Sequence, residues 1–375
     1  MRMVLGLLSV VIFSFAIAHA QEKPSSYGDN PKVKTFEEAF SGYTIASNQK
    51  DPHLTTHYAQ KSYELGLVKF GNKHKNTVNL ALNWIHAYNA HSQDHDSPIE
   101  KVTVAFPDLE KAPTSDPTTL IKLYLAYGSY FLKHPERHQF IKAIAYYKKA
   151  TEIAEKLYEG NDATIAIFNL KVGKSLYASG GARESKKYLQ KARSLFAKEP
   201  NKNAFNLAIA NFWTAKYYLS TKSNKNAAAF MSGALKTFDE ADPAGQYALA
   251  SHAFMIQILE KQGKRDEATK HCQMIGKAQP IDVNREQIPL YRFSPDYPRS
   301  AAQSRREGDV IIEFTIDEEG FVKNPKAIDG KNMKAFAPSA IKAVKDYRFA
   351  PRYKNGKPVS TDGLKTRFTF QMAKR

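Results

Sequence analysis

"SPDYPRSAAQSRREGDVIIEFTIDEEGFV", residues 294–322, decides the fold because the hydrophobic period changes inside it. Val310, Ile312, Phe314 and Ile316 alternate with more polar neighbours. That period of two puts one face of a strand on a core and the other in water. "DEEG" then turns the chain and closes on Gly320. Before this stretch, apolar residues recur every three or four positions, which is the pattern of amphipathic helices. The chain therefore reads as mainly α, with a small α+β module at its end.

Within that module "PRSAAQSRRE" is expected to form a short helix with Pro298 in its first turn. Strands are expected at about 309–317 and 321–328, with "IDEEG" as a solvated hairpin tip. A second helix presents Phe336, Ala340, Ala343, Val344 and Tyr347 along one stripe. Leu364, Thr366, Phe368, Phe370 and Met372 then alternate with Lys365, Arg367, Thr369 and Gln371, which predicts a last strand with one face in water. Two helices covering a three-stranded antiparallel sheet complete the expected module.

The helical part repeats. Ala150, Ala192 and Ala234 follow one another at a step of 42 residues, and Ala143, Ser185 and Ala227 do the same two turns earlier on the same helix face. Small residues there let two helices approach, while Tyr147, Leu189 and Met231 fill the space beside them. Gly173 and Ala215 occupy the matching contact point of the first helices. Two steps back from Ala150 lies Gly66, and one step beyond Ala234 lies Gly276. This arrangement resembles tetratricopeptide repeats in a longer variety, over roughly Phe36 to Pro280. The unit containing "SPIEKVTVAFPDLEKAPTSDP" departs from the pattern, because Pro98, Pro107, Pro113 and Pro117 break its second helix. Such an array buries its apolar faces only by stacking, which leaves an extended inner surface for a peptide or protein, or else makes a rigid spacer.

The net charge is +18, which favours anionic partners. "MRMVLGLLSVVIFSFAIAHAQEK" carries a short basic start, an apolar run shorter than a spanning helix, and Ala18-His19-Ala20 as a small-x-small cleavage site. Cleavage after Ala20 is the preferred reading, and a retained inner-membrane anchor facing the periplasm is the alternative. An exported chain does not meet nucleic acid, so the basic charge is expected to face envelope surfaces. The domain plan is a signal over 1–20, a linker over 21–35, the repeats over 36–280 and the terminal module over 281–375.

Cys272 is the only cysteine, so no internal disulfide or cysteine metal site can form, and a buried place in a helix is expected. His86, His91 and His95 stand near Asp94 and Asp96, a zinc-compatible set without fixed ligand spacing, and read as solvated surface residues. "YASGGARES" lacks the strand and the Lys-Ser/Thr of a phosphate loop. Tyr124, Tyr127 and Phe131 at helical spacing read as packing. No acid, base and nucleophile converge. The chain reads as a non-enzyme with no catalytic, cofactor or metal residues.

The terminal module resembles the C-terminal domain of the TonB family over about residues 289–372. The resemblance is carried by Tyr297-Pro298, Ala301, Gly308, Asp317 and Gly320, then Ala340, Ala343, Tyr347, Phe349, Pro351, Gly356 and Pro358. It implies a periplasmic domain of a Gram-negative envelope that binds a short segment of an outer-membrane receptor by strand addition. The edge expected to do so is the last strand, at Lys365, Arg367, Thr369 and Gln371, with Arg292, Phe293 and Ser294 beside it. A typical energy transducer keeps an uncleaved N-terminal helix and a Pro-rich linker, whereas here a cleavable signal and a helical array stand in their place. The expected function is therefore an accessory or adaptor in TonB-dependent transport. The alternatives are an anchored transducer and a cell-wall-associated scaffold.

Overall fold

The computed structural model describes residues 32–90, 116–133, 137–278 and 286–372. Ala18 and Ala20 lie outside them, as do His91, Asp94, His95 and Asp96. None of the described helices is long and apolar enough to cross a membrane. The described residues divide into two compact units at Ser115/Asp116.

The first unit holds α1 (Phe36–Gln49), α2 (Pro52–Phe70) and α3 (Lys75–Ala90). Thr35 and Glu38 form a reciprocal capping box at the start of α1, and Asp51 caps α2 ahead of Pro52. Gly66 has no room for a side chain, because a Cβ there would come 2.3 Å from Leu80 Cδ1. Trp84 is fully buried beside Tyr63.

The second unit begins with four helical hairpins. Their first and second helices are α4 (Pro117–Leu132) and α5 (Arg137–Leu157), then α6 (Asp162–Ala178) and α7 (Ala182–Phe196). They continue with α8 (Ala204–Ser220) and α9 (Asn224–Ala241), and with α10 (Gln246–Lys261) and α11 (Arg265–Ala278). Pro117 does not break a helix. It opens α4 behind the Asp116 cap, where its missing N–H costs nothing. Tyr124, Tyr127 and Phe131 are buried in α4. Ala150, Ala192 and Ala234 are buried in successive second helices, as are Ala143, Ser185 and Ala227. The first helices of successive hairpins also touch, α4 on α6 and α6 on α8, and no two second helices pack as closely. The first helices therefore line the inner side of the stack.

The terminal module follows in the same unit: α12 (Arg299–Gln303), β1 (Gly308–Ile316), β2 (Val322–Asp329), α13 (Met333–Lys345), β3 (Arg352–Lys354), β4 (Lys357–Val359) and β5 (Thr361–Phe370). The main sheet is antiparallel in the order β2-β1-β5. Val310, Ile312, Phe314 and Ile316 face a core closed by Phe336, Ala340, Val344, Phe368 and Phe370, with Ala301 of α12 also buried in it. Three features differ from the sequence reading. β5 starts at Thr361 and stops at Phe370, so Gln371 and Met372 lie beyond it. The β3–β4 hairpin was not foreseen. The β1–β2 tip is not merely solvated: Glu318 and Glu319 are exposed, but Gly320 is buried. Its φ of +83° and the 2.1 Å that would separate a Cβ from Phe349 O admit only glycine there.

Candidate functional site: the open sheet edge and its docking base

A three-stranded sheet has two edges, and here they differ. Along β2, Asn324 adopts φ 49° ahead of Pro325, and the pairing with β1 shifts register twice. Beyond its start, Phe321 bridges to Arg348. A kinked edge carrying proline is a poor template for another strand. β5 is the opposite case. From Leu364 to Phe370 it keeps an unbroken antiparallel register with β1 and contains no proline. Its distal side pairs with no described strand.

Lys365, Arg367 and Thr369 point to the outer face of that sheet and are exposed. Arg367 Nη1 lies 3.4 Å from Asp309 Oδ2, and Lys365 Nζ lies 4.0 Å from Glu313 Oε2. These charges belong to cross-strand pairs with β1, which leaves the distal main chain of β5 without a strand partner among the described residues. Gln371 is exposed just past the strand. Arg292, Phe293 and Ser294 are exposed in an extended segment that reaches Tyr297, whose ring packs edge-on against Phe370. Of the three, Arg292 lines a groove beside β5. It shares this open groove of about 450 Å³ with Gln287, Ile288, Leu364, Lys365 and Thr366. Phe293 instead packs edge-on against Tyr291.

The base of the module was missed in the sequence. Arg348 is 0% exposed, although it is charged. Its Nη1 donates to Glu260 Oε1 at 3.0 Å, and its Nη2 donates to Thr269 Oγ1 at 2.7 Å and to Glu319 O at 3.3 Å. Its guanidinium lies 3.7 Å from the Phe321 ring centroid. Burial raises the Glu260 carboxyl above its ordinary range, against the pull of Arg348 and Arg265. Thr269 stands one 42-residue step beyond Ala227, and Gly276 one step beyond Ala234. At Gly276 a Cβ would come 2.3 Å from Pro351 O. The terminal module thus sits on α11 where a further repeat would stack, with Leu290, Tyr291 and Ala350 packed on the array core. The signals were a charge inside the apolar "DYRFAP" and the loss of the last alanine of the series to glycine.

Residues 294–372 match the family model described as the Gram-negative bacterial TonB protein C-terminal. These residues form a TonB-type C-terminal domain. Protein TonB of Vibrio cholerae serotype O1 (strain ATCC 39315 / El Tor Inaba N16961) is 30% identical over 83 residues, 22% of this chain and 34% of that protein. The chain therefore matches about a third of the length of that relative. The solution NMR structure of the Pseudomonas aeruginosa TonB CTD is 32% identical, covering 25% of this chain and 94% of that one, at a TM-score of 0.22. A Pyrococcus horikoshii STAND protein with a tetratricopeptide repeat sensor is 18% identical over 66% of this chain and 37% of that one, at a TM-score of 0.45. The assignment of the TonB-type domain rests on the family match and the V. cholerae relative.

Proposed function

We propose that this protein is a periplasmic adaptor of TonB-dependent outer-membrane transport. Its TonB-type domain takes up an extended receptor segment by strand addition along β5, while the repeats hold a second envelope protein. The observation that carries this reading is the contrast between the two edges: β2 is kinked and carries Pro325, whereas β5 is regular from Leu364 to Phe370. Main-chain N–H and C=O groups on such an edge supply affinity, and the groove beside Leu364 offers a place for one side chain of the incoming peptide.

The test is a proline scan from Lys365 to Phe370, titrated calorimetrically with synthetic periplasm-facing segments of outer-membrane receptors. Proline removes one N–H, so the outcome should alternate along the strand. Positions whose N–H points outward should stay folded and lose binding; positions bonded to β1 should lose stability instead. Thr369→Pro is the first variant to examine, with far-UV circular dichroism as control. A well-folded wild-type chain that binds none of the segments would favour the scaffold alternative.

A further inference from the structure

On the inner side of the array Lys174 of α6 and Lys216 of α8 share one aromatic ring. Their Nζ atoms lie 5.5 and 4.2 Å from the Trp213 centroid. Lys216 Nζ also lies 5.4 Å from Tyr177 and 5.4 Å from Phe254 of α10. Tyr177 donates its hydroxyl to the Lys216 carbonyl at 3.0 Å, which ties α6 to α8 at this point. Lys171 stands one turn before Lys174 and reaches solvent, yet surrounding protein desolvates it. Desolvation lowers the pKa of all three ammonium groups.

None of these three lysines has a carboxylate within ion-pair distance among the described residues. Lysines elsewhere on the array do: Lys191 pairs with Glu155 and Lys198 with Asp162, each at 2.7 Å. Other lysines of the array stand unpaired in water, as Lys225 and Lys236 do on α9; Lys174 and Lys216 are unpaired where the first helices meet and are also desolvated. Ring faces offset part of the cost of holding a cation away from water, and a bound anion would offset more of it. A flat anionic surface reaches protruding charges, whereas Lys174 and Lys216 are half-buried beside aromatic rings. A single extended chain fits that position.

We propose that Lys174 and Lys216, beside the Trp213 ring, form the binding site for an extended acidic segment of a partner protein, laid across α6 and α8. This deepens the adaptor reading by giving the repeats a ligand, and it does not depend on β5.

The chain has two tryptophans, so Trp84→Phe leaves Trp213 as a reporter inside the site. A short peptide of alternating Glu and Ser, titrated into that full-length variant at low ionic strength, should change Trp213 emission saturably. Adding Lys174→Met and Lys216→Met keeps the aliphatic stems and should weaken binding by about ten-fold or more, with an unchanged unfolding midpoint. Lys225→Met with Lys236→Met removes the same charge from exposed positions on α9 and should change affinity by no more than about two-fold. Equal losses from the two pairs would reduce the effect to net charge and overturn the proposal. So would an unresponsive Trp213, or binding of inorganic polyphosphate but not of the peptide. Thr369→Pro should leave this binding intact, which separates its failure from failure of the β5 reading.

Discussion

Arg348 holds a full charge with no water around it, so its stabilising value depends on its partners staying in place. Removing one side of a buried pair strands the other, at a cost of about 3–5 kcal/mol, whereas replacing both by apolar groups is often neutral. Arg348→Met should therefore lower stability to urea by about that amount, and the double variant with Glu260→Met should recover most of it. An unchanged midpoint for Arg348→Met would refute the docking role. Cys272 gives a second readout: it is buried beneath Arg348, with Sγ 3.6 Å from Nη2, and burial pushes its thiol up to about 11. It should resist a thiol reagent at neutral pH in the wild type and react faster in Arg348→Met. A different titration belongs to His271, whose Nδ1 lies 2.8 Å from Nδ1 of His252; the other ring nitrogen of His252, Nε2, lies 3.2 Å from Asp239 Oδ1. Burial and the facing His252 push His271 down to about 4, against the opposing pull of Glu267. An unfolded histidine titrates near 6.5. Below that value the unfolded chain takes up a proton that the folded chain refuses, so this site lowers stability as pH falls from about 6.5 to about 4 and has no effect above. His271→Gln should flatten that part of a plot of urea midpoint against pH; an identical slope would mean that other groups set it.

Among the elements, the array shows most directly how residue size sets helix distance. Ala192 is buried at the contact its 42-residue series defines, so Ala192→Leu should overpack α7 and cost about 1–3 kcal/mol, measured as a lowered unfolding midpoint. Much of this level was legible in the sequence. The 3.6-residue and two-residue periods located the helices and the three strands of the main sheet, because burial on one face imposes those periods on composition. The β3–β4 hairpin was missed although Asn355-Gly356, with φ 53° and 75°, is the signature of a two-residue turn. Its strands are three residues each, too short to show alternation. The regularity of β5 was legible from Leu364 onward. The weakness of β2 as an edge was not, since it depends on the register shifts around Asn324 that only the pairing reveals.

For the molecule as a whole, the question raised by residues 294–322 is why a helical array should end in a sheet. A stack of hairpins leaves the outer face of its last helix uncovered, and such arrays need a cap. Here α11 buries Ala268, Cys272 and Ile275, while Thr269 and Gly276 meet the TonB-type domain directly. The domain is thus both the cap and the bearer of the β5 edge, so an isolated terminal domain would lose Glu260 and Thr269 as partners of Arg348. That coupling was invisible in the sequence, because Glu260 and Arg348 are 88 residues apart and nothing local links them. It can be tested by ending the chain at Ala278. Uncovering this face should cost the array on the order of 3 kcal/mol of apolar burial. The truncated chain should unfold at a lower temperature, bind more of a hydrophobic dye and expose Cys272 to thiol reagents. A truncated chain that melts with the full-length protein and keeps Cys272 unreactive would mean that α11 closes the array unaided and that the domain is carried on it without supporting it.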